Sequence, residues 1–347
     1  MSKRKEILIT GGAGFIGCNL ALRMLRQGHS VCVFDSLTRS GSEANLEWLR
    51  SEAKDTELQF IQGDIRNAAE VNQHVAGKDA IMHLAAQVAV TRSVNDPRYD
   101  FETNALGTLN VLEAARNQDR KPLMIYASTN KVYGDLQQIE IEESDLRYRF
   151  SSFRFGIDER QPLNFHSPYG CSKGAGDQYV RDYARIYSVP TVVFRMSCIY
   201  GPRQFGVEDQ GWLVWFLICT ILNKKINIFG NGKQVRDILH VDDLLDAFEK
   251  VLQSSKIVAG EVFNIGGGRE CSVSIWKELE PIIEEYAGTV PGISFFDWRP
   301  GDQKIYISDI SKAKHMLGWE PKIGIREGVR DILTWVQENI DTLSLEK

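Results

Sequence analysis

Three features that would indicate particular classes of protein are missing from this sequence of 347 residues. Its 41 lysine and arginine residues are outnumbered by 46 aspartate and glutamate residues, which argues against nucleic acid as the main partner. Its six cysteines form no CxxC pair and have no nearby histidine, so we expect no zinc, no other metal and a reducing compartment. The longest apolar run, residues 212–222, is only about half of the roughly 20 residues that a membrane span needs. The charged first residues lead directly into an apolar segment, so we expect no signal peptide, no membrane partner and a cytoplasmic location.

What the sequence does have is a regular alternation of short apolar segments and amphipathic segments. Strands are predicted over residues 7–10, 30–34, 58–62, 80–84, 123–128 and 191–196, and helices over residues 14–27, 68–75, 99–117 and 169–187. This alternation predicts an α/β fold, a Rossmann-type doubly wound parallel sheet that binds ligands at the carboxyl ends of its strands. An irregular stretch follows from residue 131 to residue 167, and denser Gly and Pro signals beyond residue 201 predict a smaller C-terminal α/β lobe.

A glycine motif lies at the first strand-to-helix connection. The segment ILITGGAGFIGCNLA places Gly11, Gly14 and Gly17 there, so that the turn can tighten and backbone N–H groups can meet a pyrophosphate. Asp35 ends the second strand, where a carboxylate accepts hydrogen bonds from the adenosine ribose and repels a 2′-phosphate. The motif therefore predicts NAD as the cofactor, while Arg39 nearby keeps NADP open.

Further cofactor contacts are expected where the other strands end. The segments GDIR and HLAAQ follow the third and fourth strands, and the small alanines of the latter let a dinucleotide lie close to the backbone. Asp64 in the first segment has helix capping as its alternative role. The predicted cofactor-binding residues are Gly11, Gly14, Phe15, Ile16, Gly17, Asp35, Ser36, Arg39, Asp64, Ile65, Leu84, Ala85, Ala86, Gln87, Asn104, Ser128, Tyr169 and Lys173.

Catalysis is predicted from a Tyr-x-x-x-Lys pair. Tyr169 and Lys173 are four residues apart in SPYGCSKGAGDQY, which puts them on one face of a helix. A neighbouring ammonium and a nicotinamide cation would stabilise the phenolate, so that Tyr169 can take a proton from an alcohol. Thr129 offers a second hydroxyl to orient the substrate oxygen, and a solvated helix face is the alternative reading of the pair.

Taken together, TGGAGFIG, STNKVYGD, SPYGCSK, RMSCIYGPRQ and GNGKQVRDILHVDDL resemble the extended short-chain dehydrogenases, the NAD-dependent epimerase/dehydratase family, over essentially the whole chain. The longer segments LNFHSPYGCSKGAGDQY and FRMSCIYGPRQFGVEDQGW are most similar to the CDP-paratose 2-epimerases. The resemblance implies that tightly held NAD takes a hydride from carbon 2 of a hexose and returns it to the opposite face, interconverting CDP-paratose and CDP-tyvelose. It also implies that residues 1–190 bind NAD and that residues 191–347 mainly bind the nucleotide sugar, with some segments returning to the sheet.

One local departure separates reaction types within the family. Sugar 4,6-dehydratases that it resembles follow the catalytic threonine with an Asp-Glu pair, whereas here Asn130 and Lys131 follow Thr129. Because elimination of water needs an acid and a base at those positions, simple oxidation and re-reduction are favoured.

A sugar diphosphate needs cationic side chains, which the C-terminal loops supply as Arg203, Arg236 and Arg299. The resemblance implies that Arg236 and Arg299 reach the phosphates and that Asp302 accepts a hydrogen bond from the nucleoside ribose, while Thr129 contacts the sugar. A solvated surface position is the alternative for each arginine.

Other functions remain open from the sequence. They are another nucleotide-sugar epimerase such as a UDP-hexose 4-epimerase, a dehydratase, a reductase, or a non-catalytic NAD-responsive regulator. Relatives pair through helices that flank the sheet, so helices 99–117 and 169–187 are expected to join a homodimer or homotetramer.

Overall fold

The computed structural model describes residues 4–54, 57–299 and 302–345, which form two compact units. Unit 1 comprises the described residues of segments 1–129, 167–195 and 245–263, and unit 2 comprises those of segments 130–166, 196–244 and 264–347. The two units interleave along the chain, and the boundary expected near residue 190 stays a prediction. No helix within the described ranges has both the length and the apolar character to cross a membrane.

The strands are β1 (Glu6–Thr10), β2 (Ser30–Asp35), β3 (Leu58–Gln62), β4 (Ala80–His83), β5 (Leu123–Thr129), β6 (Ile141–Glu143), β7 (Tyr148–Phe150), β8 (Thr191–Met196), β9 (Cys198–Tyr200), β10 (Ile226–Phe229), β11 (Val235–His240), β12 (Val262–Ile265), β13 (Ser272–Ser274), β14 (Ile293–Phe296) and β15 (Ile305–Tyr306). The α-helices are α1 (Phe15–Arg26), α2 (Ser42–Ala53), α3 (Ala68–Val75), α4 (Val90–Asn95), α5 (Pro97–Phe101), α6 (Gly107–Arg116), α7 (Ser167–Tyr187), α8 (Trp212–Ile221), α9 (Val241–Val258), α10 (Glu280–Ala287), α11 (Ser311–Leu317), α12 (Ile325–Glu338) and α13 (Ile340–Leu345).

A seven-stranded sheet has the order β12-β8-β5-β4-β1-β2-β3. Strands β1 to β5 pair in parallel, with Ile7 of β1 between Val31 of β2 and Ala80 of β4. The order reverses direction between β1 and β4, which is the switch point where such sheets open a crevice for ligands. The predicted Rossmann-type fold is confirmed.

The core of unit 1 follows directly from the sequence pattern. Helix α1 buries Leu20, Ala21 and Met24 on one face, and β1, β2 and β4 are almost continuously apolar because both of their faces are covered. Strand β3 is only partly buried because it forms the edge of the sheet.

The long helix predicted over residues 99–117 is interrupted. Helix α5 ends at Phe101, one turn of π-helix runs over Glu102–Leu106, and α6 begins at Gly107. A π-turn inserts an extra residue into a helix, and such turns are frequent at functional sites. Here it contains Asn104, which is buried. No periodicity in the sequence marks this insertion.

The stretch expected to be irregular after residue 131 contains regular structure. A 3-10 turn covers Asn130–Tyr133, and β6 pairs with β7 in an antiparallel hairpin in which Ile141 faces Phe150. In unit 2, β11 pairs with β9, β13 and β15 and all six of its residues are buried. This position brings Arg236, a residue of β11, into the interior of unit 2.

Candidate active site

The glycine motif of unit 1 forms a tight connection between β1 and α1. Gly11 has a φ of +70°, and a Cβ there would lie 2.6 Å from the backbone nitrogen of Ala85. A Cβ on Gly17 would lie 2.2 Å from the carbonyl oxygen of Gly11, so only glycine lets the helix approach the turn this closely. Among the described residues no side chain caps α1 at Gly14, so the first-turn N–H groups of Phe15, Ile16 and Gly17 point toward a place for an anion. These features fit the diphosphate of a dinucleotide.

Asp35 lies at the end of β2 and holds this connection in place. Its Oδ2 accepts from the backbone N–H of Ala13 (3.0 Å), and its Oδ1 accepts from that of Leu37 (2.9 Å). Burial raises the pKa of Asp35, although these backbone donors and the charge of Arg39 oppose the rise. The positive charge of Arg39 also acts on Tyr169, so this arginine has a role near the reactive hydroxyl as well as beside Ser36.

The third strand end presents Asp64 in an ion pair. Arg66 approaches its Oδ2 through Nη2 at 2.6 Å, and this hydrogen-bonded pair lowers the pKa of Asp64. The alternative role of Asp64 as a helix cap is wrong, because the side chain of Asn67 caps α3 by accepting from the N–H groups of Ala69 and Glu70. Ile65 is buried beside Asp64.

The segment after β4 is held in place by two hydrogen bonds between the side chain of Asn104 and the backbone of Gln87. Asn104 Oδ1 accepts from the backbone N–H of Gln87 (2.8 Å), and Asn104 Nδ2 donates to the carbonyl of Gln87 (3.0 Å). Leu84, Ala85 and Ala86 precede this anchor and follow the buried strand β4 directly. The predicted cofactor residues after β1, β2 and β4 are thus side by side at the carboxyl ends of adjacent strands.

The three predicted catalytic residues come together in unit 1. Tyr169 and Lys173 lie on the buried face of α7, and the Tyr169 hydroxyl forms a hydrogen bond with Thr129 at the end of β5. Lys173 Nζ lies 4.3 Å from the centre of the Tyr126 ring. Helix α7 approaches β5 this closely because Gly176 has no side chain: a Cβ there would lie 2.4 Å from the Tyr126 hydroxyl.

The two titrating groups have pKa values far from their ordinary ones. Burial raises the pKa of Tyr169 to about 12, against the lowering effects of the Thr129 hydrogen bond and of Arg39. Burial likewise lowers the pKa of Lys173 to about 7, against the raising effects of Asp100 and Asp177. The expected lowering of the tyrosine pKa is therefore absent from the protein alone, because burial penalises the phenolate more than the nearby positive charge stabilises it.

Ser128 and two residues that sequence reasoning missed form a buried ion-pair site beside this pair. Arg195 of β8 donates to both carboxylate oxygens of Asp177 through Nε and Nη2, each at 2.9 Å. The Ser128 hydroxyl donates to the same carboxylate at 2.8 Å. Asp177 lies four residues after Lys173 on α7, a spacing that places it on the catalytic face and that was available in the sequence.

In unit 2 a second cluster surrounds Asp302. Arg236 Nη2 lies 2.8 Å from Asp302 Oδ1, and Lys131 Nζ lies 3.7 Å from the same oxygen. Burial raises the pKa of Asp302, but the charges of Arg236, Lys131 and Arg299 and the backbone N–H of Gln303 together bring this pKa below its ordinary value. Burial also lowers the pKa of Lys131. Sequence reasoning noted Lys131 only as the residue that replaces a glutamate, and missed that it joins this cluster.

The other two predicted arginines have different surroundings within unit 2. Arg299 pairs with Asp209 at 2.9 Å and lies 3.8 Å from the centre of the Phe229 ring. Arg203 has a φ of +71° and lies 5.9 Å from the ring centre of Trp335.

Comparison with known proteins places these features among enzymes that modify nucleotide sugars. The sequence profile of the family described as GDP-mannose 4,6 dehydratase matches residues 8–332. A CDP-paratose 2-epimerase of Salmonella typhi is 44% identical over 337 residues, which cover 95% of this chain and 98% of that protein. The structure of a dTDP-glucose 4,6-dehydratase from Streptomyces venezuelae with NAD bound has a TM-score of 0.84 and 29% identity, covering 99% of this chain and 100% of that one. That of a UDP-glucuronic acid 4-epimerase from Bacillus cereus with UDP-glucuronic acid and NAD has a TM-score of 0.81 and 28% identity, covering 96% and 99%.

Proposed function

Because the chain belongs to the GDP-mannose 4,6-dehydratase family of extended short-chain dehydrogenases, we propose that it is an NAD-dependent nucleotide-sugar epimerase that interconverts CDP-paratose and CDP-tyvelose at carbon 2. The observation that carries the proposal is the hydrogen-bonded pair of Thr129 and Tyr169 with Lys173 beside it, followed in the chain by Asn130 and Lys131 instead of two carboxylates. The 44% identity to a CDP-paratose 2-epimerase supports the choice of substrate.

The residues that hold NAD in this proposal are those at the ends of β1, β2 and β4. The N-terminus of α1 receives the diphosphate, Asp35 binds the adenosine ribose beside the glycine connection, and Lys173 is available to the nicotinamide ribose. When bound, NAD supplies a hydride acceptor and then a hydride donor to the same sugar carbon.

The protein's own part in the reaction is proton transfer and orientation. Tyr169 takes the proton of the carbon-2 hydroxyl as that carbon is oxidised, while Thr129 keeps a hydrogen bond to the same oxygen. The resulting keto group turns its other face toward the cofactor, and Tyr169 returns the proton when the carbon is reduced. Lys173 contributes the positive charge that stabilises the phenolate form of Tyr169.

Unit 2 binds the diphosphate in this proposal through Arg236 and Lys131. Both cations contact the partly exposed Asp302, and two positive charges beside one negative charge leave a net positive charge for an anion. The roles of Arg203 and Arg299 toward the phosphates, and that of Asp302 toward the ribose, stay predictions.

Elimination of water is disfavoured by the two residues after Thr129. Asn130 has no ionisable group, and its amide donates to Gln303 at 3.4 Å. Lys131 is buried against Asp302. Neither side chain offers the acid and base pair that a dehydratase uses.

A homodimer is part of the proposal. Helix α7 leaves three large apolar side chains exposed, Tyr179 (48%), Ile186 (64%) and Tyr187 (37%), and the neighbouring Phe101 is 57% exposed. Large apolar side chains left exposed on a surface helix are typical of an interface between two copies of a chain.

The test is proton NMR of the purified protein with CDP-paratose, CDP-tyvelose and UDP-glucose in separate tubes, without added cofactor. The proposal requires that the two CDP sugars reach one mixture from either side while no NADH accumulates. Conversion of UDP-glucose alone would move the assignment to a UDP-hexose 4-epimerase, and steady NADH formation would overturn epimerisation. Tyr169→Phe, which keeps the ring and removes the proton acceptor, is the matched inactive control.

A further inference from the structure

A fully buried carboxylate lies next to the catalytic helix without belonging to any motif singled out in the sequence. Asp100 of α5 has no exposed surface. Its Oδ1 accepts from Gln87 Nε2 (2.8 Å) and from Asn104 Nδ2 (3.1 Å), and its Oδ2 accepts from the hydroxyl of Ser172. All three donors are neutral, so hydrogen bonds hold the carboxylate in place without cancelling its charge.

Ser172 connects this carboxylate directly to the catalytic residues. It precedes Lys173 in α7, its hydroxyl also contacts the carbonyl of Tyr169 at 3.2 Å, and it receives a hydrogen bond from Asn104 at 3.1 Å. The π-turn that contains Asn104 therefore presents both Asn104 and Asp100 to the turn of α7 between Tyr169 and Lys173.

The charged and titratable groups that act on Lys173 or contact it are Asp100 of α5, His83 of β4, Tyr126 of β5 and Asp177 of α7. Arg195 of β8 pairs with Asp177, and Arg39 of the loop after β2 acts on Tyr169, one turn before Lys173 in α7. Burial lowers the pKa of His83 to about 3, so this ring is neutral. Asp177 is already paired with Arg195 through two hydrogen bonds. Both carboxylates raise the pKa of Lys173, but Asp177 shares its charge with Arg195, whereas the three hydrogen-bond donors to Asp100 are neutral.

We infer that Asp100 is a positioning residue that supplies the buried counter-charge of Lys173 and sets the pH range in which Lys173 and Tyr169 work together. The inference rests on the proposed function only for its catalytic consequence. Asp100 acts through the two catalytic residues and does not contact the reacting atoms.

The electrostatic consequence has a defined sign. The charge of Asp100 raises the pKa of Lys173 because it stabilises the ammonium, and it raises the pKa of Tyr169 because it repels the phenolate. Removing the charge of Asp100 therefore lowers both pKa values. The fraction of protein with ionised Tyr169 and protonated Lys173 then reaches its maximum at a lower pH. This holds whichever of the two residues loses its proton first.

Asp100→Asn is the variant that tests this inference. The amide oxygen of the new side chain still accepts from Gln87 and Asn104, and its amide nitrogen donates to the Ser172 hydroxyl, which can donate to the Tyr169 carbonyl instead. The expected result is a fall in the pKa values of both Lys173 and Tyr169, each by about one pH unit, because both groups lose the influence of a buried negative charge. The pH profile of kcat moves toward acid by a similar amount.

The measurement is NMR of protein labelled with 13C at lysine Cε and tyrosine Cζ, with Lys173→Met and Tyr169→Phe to assign the signals. Ser172→Ala, which removes one hydrogen bond and keeps the charge of Asp100, is expected to leave both pKa values within about 0.3 of wild type. Glu102→Gln, which neutralises a partly exposed carboxylate two residues from Asp100, is the second control.

A reciprocal measurement keeps the inference testable if Asp100→Asn does not fold. In Lys173→Met the pKa of Asp100, read from its 13Cγ signal, is expected to rise, because the carboxylate has lost its counter-charge. Unchanged pKa values of Lys173 and Tyr169 in Asp100→Asn, or of Asp100 in Lys173→Met, would overturn the inference. These titrations need no turnover, so a chain that fails to epimerise CDP sugars would refute the proposed function and leave this result independent.

Discussion

Arg195→Met is expected to lower the free energy of unfolding of this protein by about 3–5 kcal/mol, the range for breaking a buried ion pair by removing one partner. The structure supports the upper part of that range. The side chains of Arg195 and Asp177 are 2% and 0% exposed, and the variant removes two hydrogen bonds to Asp177 while leaving its charge buried. Ser128 and Gln178 remain as neutral donors to that charge.

Urea unfolding followed by circular dichroism, at pH 7 and without NAD, measures this loss. Two controls separate the buried pair from general effects of the substitution. Arg66→Met removes the partner of Asp64 in a pair that is 36% exposed on both sides, and should cost less than about 1 kcal/mol. Combining Arg195→Met with Asp177→Asn should recover more than about 1 kcal/mol, because no buried charge is then left unpaired. A loss below about 1 kcal/mol for Arg195→Met would refute the reasoning.

Three further outcomes are expected. Thr129→Val removes a hydrogen bond that lowers the pKa of Tyr169, so the acid limb of the kcat profile should move to higher pH, with about tenfold lower activity on that limb for each unit of the move. Lys131→Met should weaken CDP binding, measured by calorimetry, by about 10–150-fold, as expected for losing one charged hydrogen bond of about 1.5–3 kcal/mol, whereas Lys131→Arg should retain binding. Ile186→Glu should convert a homodimer to monomers in light scattering after size-exclusion chromatography, because it buries a carboxylate in the apolar surface of α7.

Much of unit 1 could be predicted because its signals are local. A buried parallel strand appears in the sequence as a short apolar run, and the chain turns back where that run ends. Residues that follow such runs could therefore be assigned to the carboxyl edge of the sheet without knowing the structure. They are Gly11, Asp35, Gln87 and Thr129. The strand bounds agree with the prediction to within a residue or two for this reason. The π-turn at Glu102–Leu106 could not be predicted, because it changes which side chains face the same way along the helix and leaves the residue types unchanged.

The charges that act on the catalytic pair were harder to predict. Asp100 and Arg195 are separated from Lys173 by 73 and 22 residues in the chain, and only the packing of α5 and β8 against α7 brings them together. The sequence shows only that Lys131 replaces the glutamate of related dehydratases. Its ion pair with Asp302 could not be predicted, because Asp302 belongs to a segment far along the chain. A motif shows which residue types are present. Which charges surround them, and how deeply those charges are buried, depends on tertiary contacts.

These contacts matter because burial alone would disable the catalytic pair. Burial favours a neutral tyrosine, which lacks the basic phenolate oxygen, and a neutral lysine, which lacks the positive charge that stabilises a phenolate. The opposing influences come from different elements: Thr129 from β5 and Arg39 from the loop after β2 act on Tyr169, and Asp100 from α5 and Asp177 from α7 act on Lys173. Asp100 favours one half of the productive state by keeping Lys173 charged and disfavours the other by repelling the Tyr169 phenolate. In the proposed epimerase, bound oxidised NAD would supply a further positive charge near Tyr169, and this charge would favour loss of the Tyr169 proton.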